Sequence, residues 1–305
     1  MTERTWKSYC RHADVLLDMG RAAEALQSAR KALALDIQQS EPWFEGCRAL
    51  LAMDRAEEAL QHAEEGLQRK PDSSWGHRLR STAFSMLSRS TEALEEADEA
   101  LRLTPEEPLA MRRRARCLYA LDRDEEALAQ VDTAISMDPE SHHGYSLRAA
   151  ITLYLKRLDE AEAAARKGLR LCPDSVELLS RLGDILRKKG QPLDAMAAYR
   201  DAILSDPTNE QPKRGIKVAA ESVRGRGFTW VIVTCTTVGV FGAFLLSPIL
   251  LDWTQIRAWT IIALYLFGVF GGLGVGTWAH ERRWRWRIER HDPALWVLLK
   301  RVEGE

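Results

Sequence analysis

Three things are scarce in this 305-residue sequence: cysteine, a surplus of either charge, and any motif with catalytic spacing. The five cysteines, Cys10, Cys47, Cys117, Cys172 and Cys235, are far apart and form no C-x-x-C. That excludes a disulfide framework or a zinc site and fits free thiols in a reducing compartment. Lysine and arginine number 43 against 44 acidic residues, a net charge of -1, which excludes a strongly basic nucleic-acid binder. No Walker A loop, G-x-S-x-G or H-E-x-x-H occurs, so the chain is read as no enzyme, with no cofactor and no metal. His142-His143 lack a third ligand and read as surface residues. Met1 to Trp6 lack the apolar run of a signal peptide, so the N-terminal body is expected to stay on the side where it is made.

The balanced net charge hides a division along the chain. Residues 1–212 carry about -7, 213–227 about +4 and 280–305 about +2, while 228–279 hold only Asp252 and Arg257. The pattern is a charged body, a basic collar, an apolar block and a basic tail.

The body repeats. Leu33, Leu67, Leu101, Ile135, Leu169 and Ile203 recur at a step of 34 with no insertion. So do Ala25, Ala59, Ala93, Ala127, Ala161 and Ala195, each preceded by Glu or, at 194, Asp. A small-residue column runs Ala32, Gly66, Ala100, Ala134, Gly168, Ala202, and another Ala13, Cys47, Ser81, Ala115, Ala149, Gly183. Pro71, Pro105, Pro139, Pro173 and Pro207 form a further column, with Ile37 in the first repeat. Small residues seven apart lie on one helix stripe and let a neighbouring helix approach. The proline cannot continue a helix, so it ends one and opens the next repeat. Gly20 and Gly190 fill the connector where a positive φ is useful.

These columns, with the large residues Tyr9, Trp43, Met111, Tyr145 and Leu179 near the start of each first helix, resemble the tetratricopeptide repeat family; His77 departs from that last pattern. The resemblance implies an all-α, right-handed solenoid of helix-turn-helix repeats, six of them at about 6–39, 40–73, 74–107, 108–141, 142–175 and 176–209. Residues 210–227 are expected to supply a capping helix, through Ile216, Val218, Ala219 and Val223, and a basic linker.

The apolar block reads as a transmembrane helical hairpin. Phe228 to Leu251 and Ala258 to Ala279 are free of charge, and a bilayer core needs roughly 20 apolar residues as helix. Basic residues flank both ends and not the turn, which predicts an integral membrane protein with two spans and both termini cytoplasmic, in a bacterial plasma membrane on its Ala- and Arg-rich composition. Gly268, Gly272 and Gly276 are spaced for close helix packing, within the hairpin or against an integral membrane partner. Residues 280–305 form a basic, Trp-rich tail. Its Arg282, Arg283, Trp284, Arg285, Trp286 and Arg287 suit anionic membrane lipid headgroups better than RNA at that place in the chain. Leu295, Trp296, Leu298 and Leu299 are expected to lie on the membrane in a short amphipathic helix.

The resemblance also implies a concave groove lined by the first helix of each repeat, which takes a protein partner or peptide. Arg48, Arg78, Arg112 and Arg116 fall on that face, with Phe44, Trp75 and Tyr119 as apolar neighbours. A basic groove suits an acidic peptide or a terminal carboxylate. Chaperone-binding relatives grip such a carboxylate with lysine and asparagine, and no asparagine stands in the matching column here. A second arginine ladder, Arg80, Arg114 and Arg148, reads as stems packed between helices and bonded to nearby carboxylates. Two functions remain open: a membrane-anchored scaffold that recruits a partner through the groove, and an accessory or assembly subunit of a membrane complex that docks through the glycine-rich hairpin.

Overall fold

The computed structural model describes residues 5–223, 282, 286, 288–290 and 292–303. Every regular element among them is helical. Twelve helices come first: α1 (Trp6–Asp18), α2 (Ala22–Leu35), α3 (Glu41–Ala52), α4 (Ala56–Arg69), α5 (Ser74–Met86), α6 (Ser90–Leu103), α7 (Pro108–Ala120), α8 (Asp124–Met137), α9 (His142–Tyr154), α10 (Leu158–Leu171), α11 (Val176–Lys188) and α12 (Pro192–Ser205). Residues 210–223 are also helical, and α13 spans Pro293–Glu303. The chain divides into two compact units, Met1–Leu171 and Cys172–Glu305.

The repeat is set by how each odd-numbered helix stops. Gly20, Asp54, Ser88, Asp122, Lys156 and Gly190 all have positive φ, between 57° and 80°, and stand 34 residues apart. The amide that follows each, from Arg21, Arg55, Arg89, Arg123, Arg157 and Gln191, donates back to the carbonyl five residues earlier at 2.8–3.0 Å. This is a Schellman stop at every turn. It reverses the chain so that the even-numbered helix returns along its partner. Four of these arginines then reach forward to the glutamate three residues on: Arg21 to Glu24, Arg55 to Glu58, Arg89 to Glu92 and Arg123 to Glu126. Hydrogen bonds from their arginines hold the Glu92 and Glu126 carboxyls below the usual range.

Packing follows the small-residue columns. Ala25, Ala59, Ala93, Ala127, Ala161 and Ala195 are wholly buried, as are Ala13, Cys47, Ser81, Ala115 and Ala149. Ser81 satisfies its hydroxyl by donating to the Ala93 carbonyl at 2.7 Å. In the first unit each odd helix packs on the next odd helix: α1 on α3, α3 on α5, α5 on α7 and α7 on α9. The even helices have no such mutual packing among the described residues. The odd helices are therefore the closely spaced inner layer, and the wall they present is the concave one.

In the second unit α11 and α12 repeat the same pairing, and Tyr199 fills the gap between Gly183 and Gly215. A Cβ on Gly183 would stand 2.6 Å from the Tyr199 ring. In the helical segment 210–223, Ile216, Ala219 and Ala220 are buried and Val218 is exposed.

The expectation of an integral membrane protein with two spans is corrected here. Among the described residues no helix is long and apolar enough to cross a membrane. Those with stated bounds have 11–14 residues, whereas a span needs roughly 20. The hairpin read at 228–279, with Gly268, Gly272 and Gly276, lies outside the described residues. The tail differs from expectation as well. Leu295 and Leu299 of α13 are buried, and α13 packs on α12, with Asp292 ion-paired to Arg200. Those leucines meet protein rather than lipid. Arg282 and Trp286 are exposed helical residues, whereas Arg283, Trp284, Arg285 and Arg287 lie outside the described residues.

Candidate functional site: the wall of odd-numbered helices

The inner wall of the first unit carries a steep change of charge. At its start, α1 contributes Asp14 and Asp18, and α3 contributes Glu41, Glu45 and Arg48. Arg48 bridges Asp14 at 2.6 Å and Glu45 at 3.1 Å. Burial pushes the Glu45 carboxyl up to about 7, against the opposing pull of Arg48. Burial, with help from Glu45 and Glu41, raises the Cys10 thiol to about 12.

Two helices further on the sign reverses. Arg78 of α5 and Arg112, Arg113 and Arg116 of α7 occupy neighbouring positions. Arg78 gives one nitrogen to Glu107 at 3.1 Å, while its Nε is buried with no acceptor. Arg112 donates to the Ser141 hydroxyl and stands 3.9 Å from Asp138. Burial lowers the pKa of both guanidinium groups, and each also feels a neighbouring arginine: Arg112 at Arg78, Arg116 at Arg112. Arg113 is lowered to about 10, first by burial, then by Arg116 and Arg78. Arg116 is exposed.

The aromatic residues divide. Phe44 is 1% exposed and sits against Gly66 and Gly76, so it belongs to the core behind the wall rather than to its surface. Trp75 packs edge-on against Phe44 at 5.2 Å and is partly exposed. Tyr119 meets Tyr154 edge-on at 5.7 Å, and Tyr154, which the sequence did not single out, is 54% exposed. Arg48 stands on the expected face, but Asp14 and Glu45 consume its charge. The structure brings Arg78, Arg112 and Arg116 together and adds Arg113. The second ladder bonds carboxylates as expected: Arg80 to Glu96, Arg114 to Asp98 and Arg148 to Asp132.

His77, the residue that broke the aromatic pattern, is buried and held at both ring nitrogens, by Glu96 at 2.8 Å and the Pro71 carbonyl at 2.9 Å. Both partners accept, so the doubly protonated ring is favoured; the Glu96 bond is the main cause of its raised pKa. No three metal-ligating side chains converge among the described residues.

Tetratricopeptide repeat family models match residues 79–142, 148–210 and 7–36, together about half of the sequence. The chain belongs to the tetratricopeptide repeat family. Proteins of this family mediate protein–protein interactions, and their fold is typically a non-enzymatic scaffold. The fold is similar to that of TTC0263, a tetratricopeptide repeat protein of Thermus thermophilus, at 24% identity and a TM-score of 0.57 over 60% of this chain and 100% of that one. It is similar to the Cut9–Hcn1 hetero-tetramer of the APC/C, at 14% identity and a TM-score of 0.64 over 70% of this chain and 43% of that one. It is also similar to PilW, a type IV pilus biogenesis factor, at 16% identity and a TM-score of 0.58 over 68% and 97%. No curated protein sequence matches the chain.

Proposed function

We propose that this tetratricopeptide repeat chain is a scaffold that holds a segment of a protein partner along the wall of its odd-numbered helices. Negative charge on that segment meets Arg78, Arg112 and Arg116, and Trp75 and Tyr119 supply apolar contact beside them. The observation that supports this reading is the gathering of four arginines on the adjacent helices α5 and α7, only partly balanced by Glu107 and Asp138. Guanidinium groups in a fixed, partly buried array recognise carboxylates through paired hydrogen bonds, and the partial burial limits screening by salt. Arg48 adds no net attraction, because two carboxylates already hold it.

The test is affinity capture with the full chain, identification of the captured protein by mass spectrometry, and measurement of its affinity for the parent and for the triple variant Arg78→Glu, Arg112→Glu, Arg116→Glu. The expected result is a loss of at least tenfold in affinity, together with parent binding that weakens as salt is added. Full affinity in a triple variant that keeps its helical circular dichroism would overturn the reading.

A further inference from the structure

The corner between the second and third repeats is closed by one histidine. The buried His77 ring, on α5, places Nδ1 2.8 Å from the Glu96 carboxylate of α6. Its Nε2 stands 2.9 Å from the carbonyl of Pro71, in the turn that joins α4 to α5. Through its other oxygen Glu96 holds Arg80 at 2.5 Å. A carboxylate and a carbonyl only accept, so both ring bonds exist together only when both nitrogens carry hydrogen. We propose that His77 is a pH latch: the doubly protonated ring ties the α4–α5 corner to α6, and loss of one proton as pH rises frees the corner.

The proton that stays is the one at Nδ1, because a hydrogen bond to an ionised carboxylate is roughly twice as strong as a neutral one. The Nε2 lone pair then faces the Pro71 oxygen, and two acceptors 2.9 Å apart repel. An open cavity of about 370 Å³, lined by Glu64, Leu67, Gln68, Pro71, His77 and Arg80, borders the ring. Water entering there can replace the ring at the freed carbonyl. The charged groups around the ring are Glu96 and Glu99 of α6, Glu64 of α4 and Arg80 of its own helix. On the other sides of α5, α3 meets it through Phe44 against Gly76, and α7 through Cys117 against Ser81. The Glu96 bond, against the opposing effect of burial, raises the ring's pKa above its ordinary 6.5. The latch is therefore fully closed below that value and is lost as pH climbs through the higher, folded one. It belongs to one junction only. The same 34-residue column holds Tyr9, Trp43, Met111, Tyr145 and Leu179, none of which changes charge near neutrality. Trp75 lies between Pro71 and His77, so the latch governs the turn that presents Trp75 to the wall.

Amide hydrogen exchange of the full chain tests the latch without any partner. The Gly76 amide donates to the Ser73 hydroxyl at 3.1 Å and the His77 amide to the Ser73 carbonyl at 3.0 Å, so both are protected only while the corner is in place. Their opening constants are measured against pH, with the intrinsic pH dependence of exchange divided out. They should be flat below about pH 6.5, rise about tenfold per pH unit above it, and level off once the folded ring is neutral. The Met111 amide, bonded to the Glu107 carbonyl in the equivalent turn of α7, has no histidine beside it and should stay flat. That control separates the latch from any general loss of stability with pH. In His77→Gln the rise at positions 76 and 77 should vanish, and in Glu96→Gln it should shrink. NMR of labelled histidine follows the ring itself, and its titration should end where the opening constants level off. A ring already neutral at about pH 6 overturns the latch. So do opening constants at 76 and 77 that stay flat, or that rise only in step with Met111, while the ring titrates. Both of these readings come from the parent chain, so they decide the matter even where a variant fails to fold.

Discussion

Glu45 is a carboxyl 7% exposed on the inner wall, and its environment makes stability depend on pH in an unusual direction. Its proton leaves near 4.5 in the unfolded chain and near 7 in the fold, because burial outweighs the pull of Arg48. Between those values the native state holds more protons, so this group's contribution is fully present below about 4.5 and is lost as pH rises through 7. Glu45→Gln should therefore be more stable than the parent at pH 8 and close to it at pH 4.5, measured as urea midpoints. A difference that does not change with pH would contradict the assignment. The sequence showed Glu45 only as one more acidic residue. Its burial comes from the packing of α3 on α1 and α5, which no local pattern displays. Arg113 was equally hidden. Its column mates Leu79 and Leu147 mark a packing position, and only the structure shows that it shares a field with Arg78 and Arg116. The run Met111-Arg112-Arg113-Arg114 was the available signal, since two arginines three apart, at 113 and 116, share a helix face.

At the scale of the helix pair, the decisive element is the left-handed stop. Glycine occupies it at Gly20 and Gly190, whereas Asp54, Ser88, Asp122 and Lys156 take the same conformation with side chains. A left-handed residue costs roughly 1–2 kcal/mol, less what glycine loses in unfolded-state entropy. Lys156 is exposed at φ 61°, so Lys156→Gly should raise stability by about 0.5–1 kcal/mol. Chemical denaturation checks it, and destabilisation would show that the lysine side chain supports the turn. The helices themselves were legible, because alanine, leucine and proline recurred at a step of 34 and each column has a packing reason. The four turns without glycine were less so: nothing in Leu87-Ser88-Arg89-Ser90 requires a positive φ until the returning helix is in place. The tail was half legible. Leu295 and Leu299 are spaced as one apolar stripe, and the stripe alone does not say whether lipid or α12 covers it.

For the molecule as a whole, the repeat count was legible and the charge map was not. Arg48 and Arg116 stand two steps apart in one column, yet Asp14 and Glu45 neutralise the first while the second has no partner among the described residues. The difference arises from neighbouring helices and appears only when they are stacked. The membrane reading drew on charge-free runs at 228–251 and 258–279, and length of apolar sequence is a necessary condition for a span rather than a sufficient one. The central claim is that the odd-helix wall receives a partner. It is tested most directly by placing a photo-crosslinking residue at Thr82 on α5, at Tyr119 on α7 and at the exposed Glu95 on α6 in turn. Each variant is irradiated with the captured partner bound. Crosslinks from positions 82 and 119, and none from 95, are the result expected of a segment lying along the wall. Crosslinks from 95 alone would place the partner on the outer layer and contradict the account.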